Sequence, residues 1–475
     1  MTTEADADDT TTLRALLERL AEVKIRRPDD VLSWLKTTCS RHSIRVCSDG
    51  AEGKPDRVIL SCKRFGSAPK HQIWFECNGI VIDASTWAVL SVPPRALNNV
   101  PRREPVESFL KKGLYDIIRV EDGTVVTLYQ WSHPDKGPIW CMSTGNGYDV
   151  SALRWMSEKT FAETMYEVIA LYPEFAERVG ASVVRDVLGP DDVRLQMPGL
   201  DPAYSYSFGF RHHEFQPLKA DPAKLWFIQA VSREDLSVLG PISGPEDTGQ
   251  ATKQILALVP CQTMISWGNQ GTPAELTTIE DILALSEGSL EKAIASVAPE
   301  ENNTAQFLYG HILRSRCPEE TGPESDILIR SKLLCVVRNF MYRKPPRGVR
   351  AEIYHRNRLE FVCMSAFLNQ FWSKTFLSLY PQFETNFHGY EAFLDRIATL
   401  VVRYYCEHDA QASTLEEYPN TNSVVSILAM TFYKFIRSAD KGSISPFRKN
   451  AKSLVLAYLM QPCYALMYVK AIIPE

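Results

Sequence analysis

Leu13, Leu16, Leu17 and Leu20 recur at i, i+3, i+4 and i+7 behind a threonine-rich stretch, which predicts a capped helix with one apolar stripe. A second short helix is predicted from about Pro28, carrying Val31, Trp34 and Leu35. From Ile44 to about Val150 the texture changes. The runs RVILSC, QIWFEC, GIVIDA, YDIIRV, TVVTLYQW and IWCMST are separated by turn residues and predict antiparallel strands. Helical spacing returns over Ser157–Val179, with Phe161, Met165, Val168, Ile169 and Tyr172 on one face. Residues 180–240 read as mixed strand and loop and end in the apolar run Leu225 to Val231. After the loop GPISGPEDTG, a helix is predicted over Thr278–Val297 and two strands near 306–313 and 326–337.

The stretch MYRKPPRGVR, with two prolines, a glycine and clustered positive charge, marks a boundary. Beyond it helices are predicted over Ala351–Leu379, Gly389–Cys406, Ser423–Ser438 and Phe447–Ile473. The expected fold class is α+β: N-terminal helices over 1–40, a body of antiparallel sheets with flanking helices over 41–340, and an all-helical C-terminal domain over 341–475.

With 475 residues, 45% of them hydrophobic and 23% charged, the chain can bury several cores; disordered, collagen-like and coiled-coil classes are excluded. The formal charge is -5, so no global cationic character points to nucleic acid. The balance is uneven, since residues 341–475 hold 16 Lys/Arg against 11 Asp/Glu. Eleven cysteines without a CxxC pair read as reduced thiols in an intracellular, cytoplasmic setting. The start MTTEADADDTTT is acidic and polar, unlike a secretory or transit leader. The longest apolar run, Leu454 to Tyr468, is interrupted by Gln461-Pro462, so no membrane span is expected.

Local motifs are sparse. His212-His213-Glu214 lacks the i, i+4 histidine spacing of a zinc helix, and no metal site is expected. No GxSxG elbow, Walker loop or dinucleotide-binding glycine fingerprint is present. Arg343, Lys344, Arg347 and Arg350 read as a solvated linker or a phosphate contact. The many C-terminal aromatics, Phe361, Phe367 and Phe376 among them, read as core or as a partner-binding face.

One ordered constellation stands above this background. YDIIRVEDGTVVTLYQW is followed by WCMSTGNGYD and a helix carrying ETMYEVI; ECNGIVIDASTWAVLSVPPRALNN lies upstream. Downstream come SYSFGFRHHEFQPLKADPAKLWFIQAV, QFLYGHIL and ILIRSKLLCVV. In order and approximate spacing over about residues 40–340, these pieces resemble the phage-type ATP-dependent RNA ligases, which are covalent nucleotidyltransferases. The resemblance implies a fold of antiparallel sheets around a nucleotide pocket. It also implies a chemistry in which a lysine amine attacks the α-phosphate of ATP to give a lysine–AMP intermediate.

The carry-over fails where the chemistry resides. Asp122-Gly123 matches the family's Asp-Gly turn, but the nucleophile position two residues earlier is Val120, which has no amine. Its neighbour Arg119 stays protonated and cannot substitute. The family's Arg-Gly contact to the outer phosphates reads Asn78-Gly79. Phe208 matches the Phe-Glu motif and is implied to stack on adenine, whereas its glutamate is replaced by Gly209. The metal-binding glutamate is replaced by Tyr309 before Gly310, and the two phosphate-gripping lysines by Leu328 and Arg330. These ten positions, Asn78, Val120, Asp122, Gly123, Phe208, Gly209, Tyr309, Gly310, Leu328 and Arg330, form the expected vestigial nucleotide pocket, with no intact catalytic residue.

The expectation is therefore a catalytically inactive ligase-like protein with no cofactor, working through protein partners. By analogy with the family's sources it would be a virion or assembly component of a phage or large DNA virus. Two alternatives remain open: an RNA-binding protein, or an active ligase that uses a displaced lysine with ATP and Mg²⁺.

Overall fold

The computed structural model describes residues 11–49, 56–62, 71–99, 115–154, 157, 159–212, 223–239, 254–261, 264–266, 308–315, 326–330 and 358–408. The chain divides into two compact units: Met1–Ser289 with Gln306–Leu334, and Leu290–Ala305 with Cys335–Glu475. The sequence-predicted segments 278–297, 341–350, 423–438 and 447–473 lie outside the described residues.

In the first unit, helices α1 (Leu13–Arg26) and α2 (Val31–Arg41) precede strands β1 (Ile44–Ser48) and β2 (Arg57–Cys62). The Thr12 hydroxyl accepts from the Ala15 N–H, confirming the threonine cap of α1. A short helix α3 (Gln72–Glu76) leads to β3 (Asn78–Asp83) and β4 (Val89–Ser91), and the four strands form an antiparallel sheet in the order β1-β2-β3-β4. QIWFEC was expected as a strand and is helical instead. The Gln72 amide donates to Glu76 one turn later (2.8 Å), and Ile73 and Phe75 are buried from a helical turn. Five residues are too few for periodicity to separate the two states.

The runs in β2 and β3 are continuously apolar because both faces of this sheet are covered. Val58, Leu60, Ile80 and Ile82 pack with Leu16, Leu20, Val31 and Leu35 of the helices. Ile59 and Val81 face the other way, against Tyr129, Trp131, Ile139 and Cys141. Those four residues belong to a second sheet, built from β7 (Thr124–His133), β8 (Gly137–Ser143), β11 (Tyr204–Arg211), β12 (Lys224–Ser232) and β13 (Val238–Leu239), ordered β13-β12-β11-β7-β8. Its far face carries Val126, Leu128, Phe208, Phe210 and Phe227, buried against α4 (Phe161–Ile169) and α5 (Pro173–Val179). The result is a helix–sheet–sheet–helix stack. The single helix expected over 157–179 is two, because Pro173 starts a new one after Tyr172. A small ribbon of β9 (Ser182–Arg185) and β10 (Val193–Gln196) follows.

The third sheet contains β5 (Asn98–Asn99), β6 (Tyr115–Glu121), β14 (Met264–Ser266), β15 (Leu308–Ser315) and β16 (Asp326–Arg330), ordered β14-β6-β15-β16-β5. It is antiparallel except for the β16–β5 pair. In the second unit, α6 (Arg358–Leu368), α7 (Gln370–Leu379) and α8 (Glu384–His408) are described. Their aromatics are core: Phe361, Phe367, Phe376 and Tyr380 are buried, and Phe376 stacks on Phe387 with centroids 5.6 Å apart.

The first two sheets are joined by a buried ion network. Arg57 of β2 donates through Nε to Asp49 (2.7 Å) and lies 3.5 Å from the Asp149 carboxylate. Its guanidinium sits 4.0 Å over the Trp131 ring. Arg194 of β10 reaches the same Asp149 oxygen at 2.8 Å and Asp192 at 2.7 Å. Burial pushes the Asp149 carboxyl upward, but Arg194 and Arg57 outweigh it and hold the group below its ordinary value of 3.8.

Asp149→Asn leaves two buried guanidiniums short of their shared anion and should cost about 3–5 kcal/mol, measured by urea denaturation. Because the folded-state carboxyl titrates below 3.8, its contribution is complete above that pH and disappears as pH falls through the folded value. Wild type should therefore lose stability more steeply than Asp149→Asn in that acid range.

Candidate functional site

Glu121-Asp122-Gly123 carries the chain from the third sheet into the second: β6 ends at Glu121 and β7 begins at Thr124. The sequence-predicted positions fall on both sides of this crossing, in two groups, with two outliers.

The first group lies on one face of the third sheet. Val120 of β6 pairs with Gly310 of β15, and Gly310 pairs with Arg330 of β16. One row along, Ile118, Ile312 and Leu328 are paired in the same way. Side chains two apart on a strand share a face, so Val120 adjoins Leu328 and the two isoleucines. Ile118, Ile312 and Leu328 are a buried cluster, with Val120 and Leu97 packed against it. The β6–β15 register shifts between Leu308 and Gly310, which leaves Tyr309 as the bulged residue; its side chain lies outside the described residues. Gly310 has φ +154, and a Cβ there would stand 2.0 Å from the Ile329 carbonyl oxygen. Glycine is required at this crossing of three strands by both conformation and space.

The second group lies on the second sheet. Gly209 of β11 pairs with Trp226 of β12, and the Trp226 indole lies directly on it. A Cβ on Gly209 would stand 2.1 Å from Trp226 Cε2, and one on Gly123 would stand 2.4 Å from Trp226 Cη2. The same bicyclic ring therefore covers both glycines. Around it, Arg211 Nε donates to the Asp122 carbonyl oxygen (3.1 Å). Arg211 Nη2 and Lys224 Nζ donate to the two carboxylate oxygens of Glu121, at 3.1 and 2.9 Å. Asp122 itself is fully buried.

The outliers are Phe208 and Asn78. Phe208 was expected to offer its ring to a base. It points instead into the core on the opposite face from Gly209, fully buried with ring centroids 5.7 Å from Phe227 and 6.0 Å from Phe175. Strand alternation is the reason: if residue 209 faces the indole, residue 208 must face the helices. Asn78 lies in the first sheet and donates through Nδ2 to the Pro94 carbonyl oxygen (2.9 Å), tying down the segment after β4. The next residue, Gly79 at φ +106, abuts the Thr144-Gly145 turn; a Cβ there would stand 2.6 Å from the Thr144 carbonyl oxygen.

A triphosphate with its metal ion needs an amine, an acidic ligand and a cationic clamp. At the matched positions described, Val120 and Leu328 belong to an apolar cluster, Gly209 lies under the Trp226 indole, and of the two clamp positions only Arg330 is a cation. Among the described residues, no group of three or more His, Cys, Asp or Glu is placed to hold a metal ion.

The chain is 28% identical over 373 residues, 78% of its own length and 77% of the other, to a protein of African swine fever virus (isolate Tick/South Africa/Pretoriuskop Pr4/1996) described as "Putative RNA-ligase". A protein with the same description from isolate Tick/Malawi/Lil 20-1/1983 is 25% identical over 423 residues, 83% of this chain and 88% of that one. The chain is RNA-ligase-like. It is similar to viral proteins described as putative RNA ligases, in keeping with the resemblance of the ordered motifs. No protein-family model matches it. Among solved structures, a "Putative ATP-dependent DNA ligase from Aquifex aeolicus" superposes with a TM-score of 0.35 at 10% identity, over 79% of this chain and 80% of that one, a likeness too loose to place residues.

Three features of this ligase-like chain escaped the sequence reading: Trp226, the Arg211–Glu121–Lys224 group and the Asp149 network. Trp226 had a usable signal. Laying FGFR against KLWF as a hairpin puts tryptophan opposite glycine and arginine opposite lysine.

Gly310→Ala should destabilise the protein by about 1–3 kcal/mol in chemical denaturation. Gly137→Ala is the control: its φ is +73, but nothing lies within 4 Å of the added Cβ, so its cost should be smaller.

Proposed function

We propose that this ligase-like protein does not form a lysine–AMP intermediate, takes no ATP or Mg²⁺ as a cofactor, and serves as a structural or interaction component in a viral setting. Its working environment would be the cytoplasm or the virion, and its partners other proteins. The observation that carries this reading is Val120. It stands at the nucleophile position, on a face where Ile118, Ile312 and Leu328 form a buried apolar cluster. An amine placed there would find Leu328 where the family resemblance implies a phosphate-gripping lysine. No helix among the described residues is long and apolar enough to cross a membrane.

The test is intact-mass measurement of the full chain after incubation with ATP and Mg²⁺ or Mn²⁺, followed by pyrophosphate, beside a ligase known to adenylylate. The expected result is no AMP adduct on this chain and a pyrophosphate-reversible adduct on the control. Val120→Lys should also remain unmodified, because Leu328 and the other replaced positions still lack the phosphate clamp. A reversible adduct on wild type would overturn the reading and direct peptide mapping to a displaced lysine.

A further inference from the structure

We propose that the floor made by Gly123 and Gly209 is a binding slot for a planar heteroaromatic ring bearing an anionic group, with Trp226 as its resident occupant. In the native chain the indole closes the slot to nucleotides. This inference rests on the reading of a non-adenylylating site and adds what fills it.

The glycines show what the slot is for. Neither Gly123 nor Gly209 has a positive φ, so backbone conformation does not demand glycine at either position. The ring does. Nε1, Cε2 and Cζ2 of Trp226 would all stand within 2.1–2.3 Å of a Cβ on Gly209, and Cη2 within 2.4 Å of one on Gly123. A bicycle lying on two bare backbone segments has the footprint of a purine.

The surroundings are unlike those of an ordinary core tryptophan. Phe208, Phe210, Leu225 and Phe227 of the same two strands face the hydrophobic core. Trp226 faces the other way, in a row with Gly209 and Val125. Along that face, Arg211 and Lys224 stand two residues from Gly209 and Trp226 and converge on Glu121. Further on, Thr127 and Ser207 share a hydrogen bond of 2.9 Å. An aromatic ring is thus seated among cations and hydroxyls. A phosphate attached to a ring in this slot would compete with Glu121 for Arg211 and Lys224. Val125 is 44% exposed, so the rim of the slot reaches solvent while Trp226 is only 3% exposed.

The experiment uses full-length Trp226→Gly and wild type, titrated separately with AMP and with indole, and read by calorimetry and thermal unfolding. Wild type should show no binding of AMP or ATP. Trp226→Gly should unfold at a lower temperature and recover part of the loss with indole. It should also bind AMP at least roughly tenfold more tightly than wild type. Trp226→Leu, which keeps more of the packing, covers the case in which the glycine variant does not fold; it should show the same gain in AMP binding at smaller size. A folded variant that takes neither ligand overturns the slot. Wild type that binds AMP or ATP without acquiring an adduct overturns the plug while leaving the proposed function standing. An adduct on wild type overturns the proposed function itself.

Discussion

Two sheets packed face to face tolerate a charge between them only if it is matched, and the Asp149 carboxylate with its two guanidiniums meets that condition. Arg57 comes from the first sheet, Arg194 from the ribbon beside the second, and Asp149 from the turn after β8. Tyr129 and Cys141 line the same space, each 3.3 Å from Arg57 Nη1. A hydrophobic interface alone would let the sheets slide in steps; a buried ion triad has one register. At the same interface, Gly79 of the first sheet packs on the Thr144-Gly145 turn that follows β8.

The contrast between the two halves of the candidate site follows from what each sheet is packed against. On the third sheet, Val120 and Leu328 at the matched positions pack with Ile118 and Ile312 in a small cluster. On the second sheet the space over Gly209 is taken by an indole from the next strand. Both halves are closely packed, and close packing stabilises the fold because an empty polar cavity would need water or unpaired groups to fill it.

Much of this was legible in the sequence. The leucine spacing of α1, the double-sided apolar runs of β2 and β3 and the Asp-Gly corner all carry local signals that survive in three dimensions. Phe208 shows where that legibility ends. A motif match fixes which strand a residue sits on but not which face it takes: β11 alternates regularly, with Tyr206, Phe208 and Phe210 all in the core. α3 shows the same limit, since tertiary burial of Ile73 and Phe75 overrode strand propensity in five residues. The Asp149 network could not be read at all, because it gathers residues from Asp49 to Arg194 that no short spacing connects.

The borders of the second sheet carry one more consequence. β13 is two residues long, and β8 opens on Gly137-Pro138, where proline withdraws a backbone donor. Neither border offers a long uninterrupted ladder for a foreign strand, which limits edge-to-edge association at high concentration.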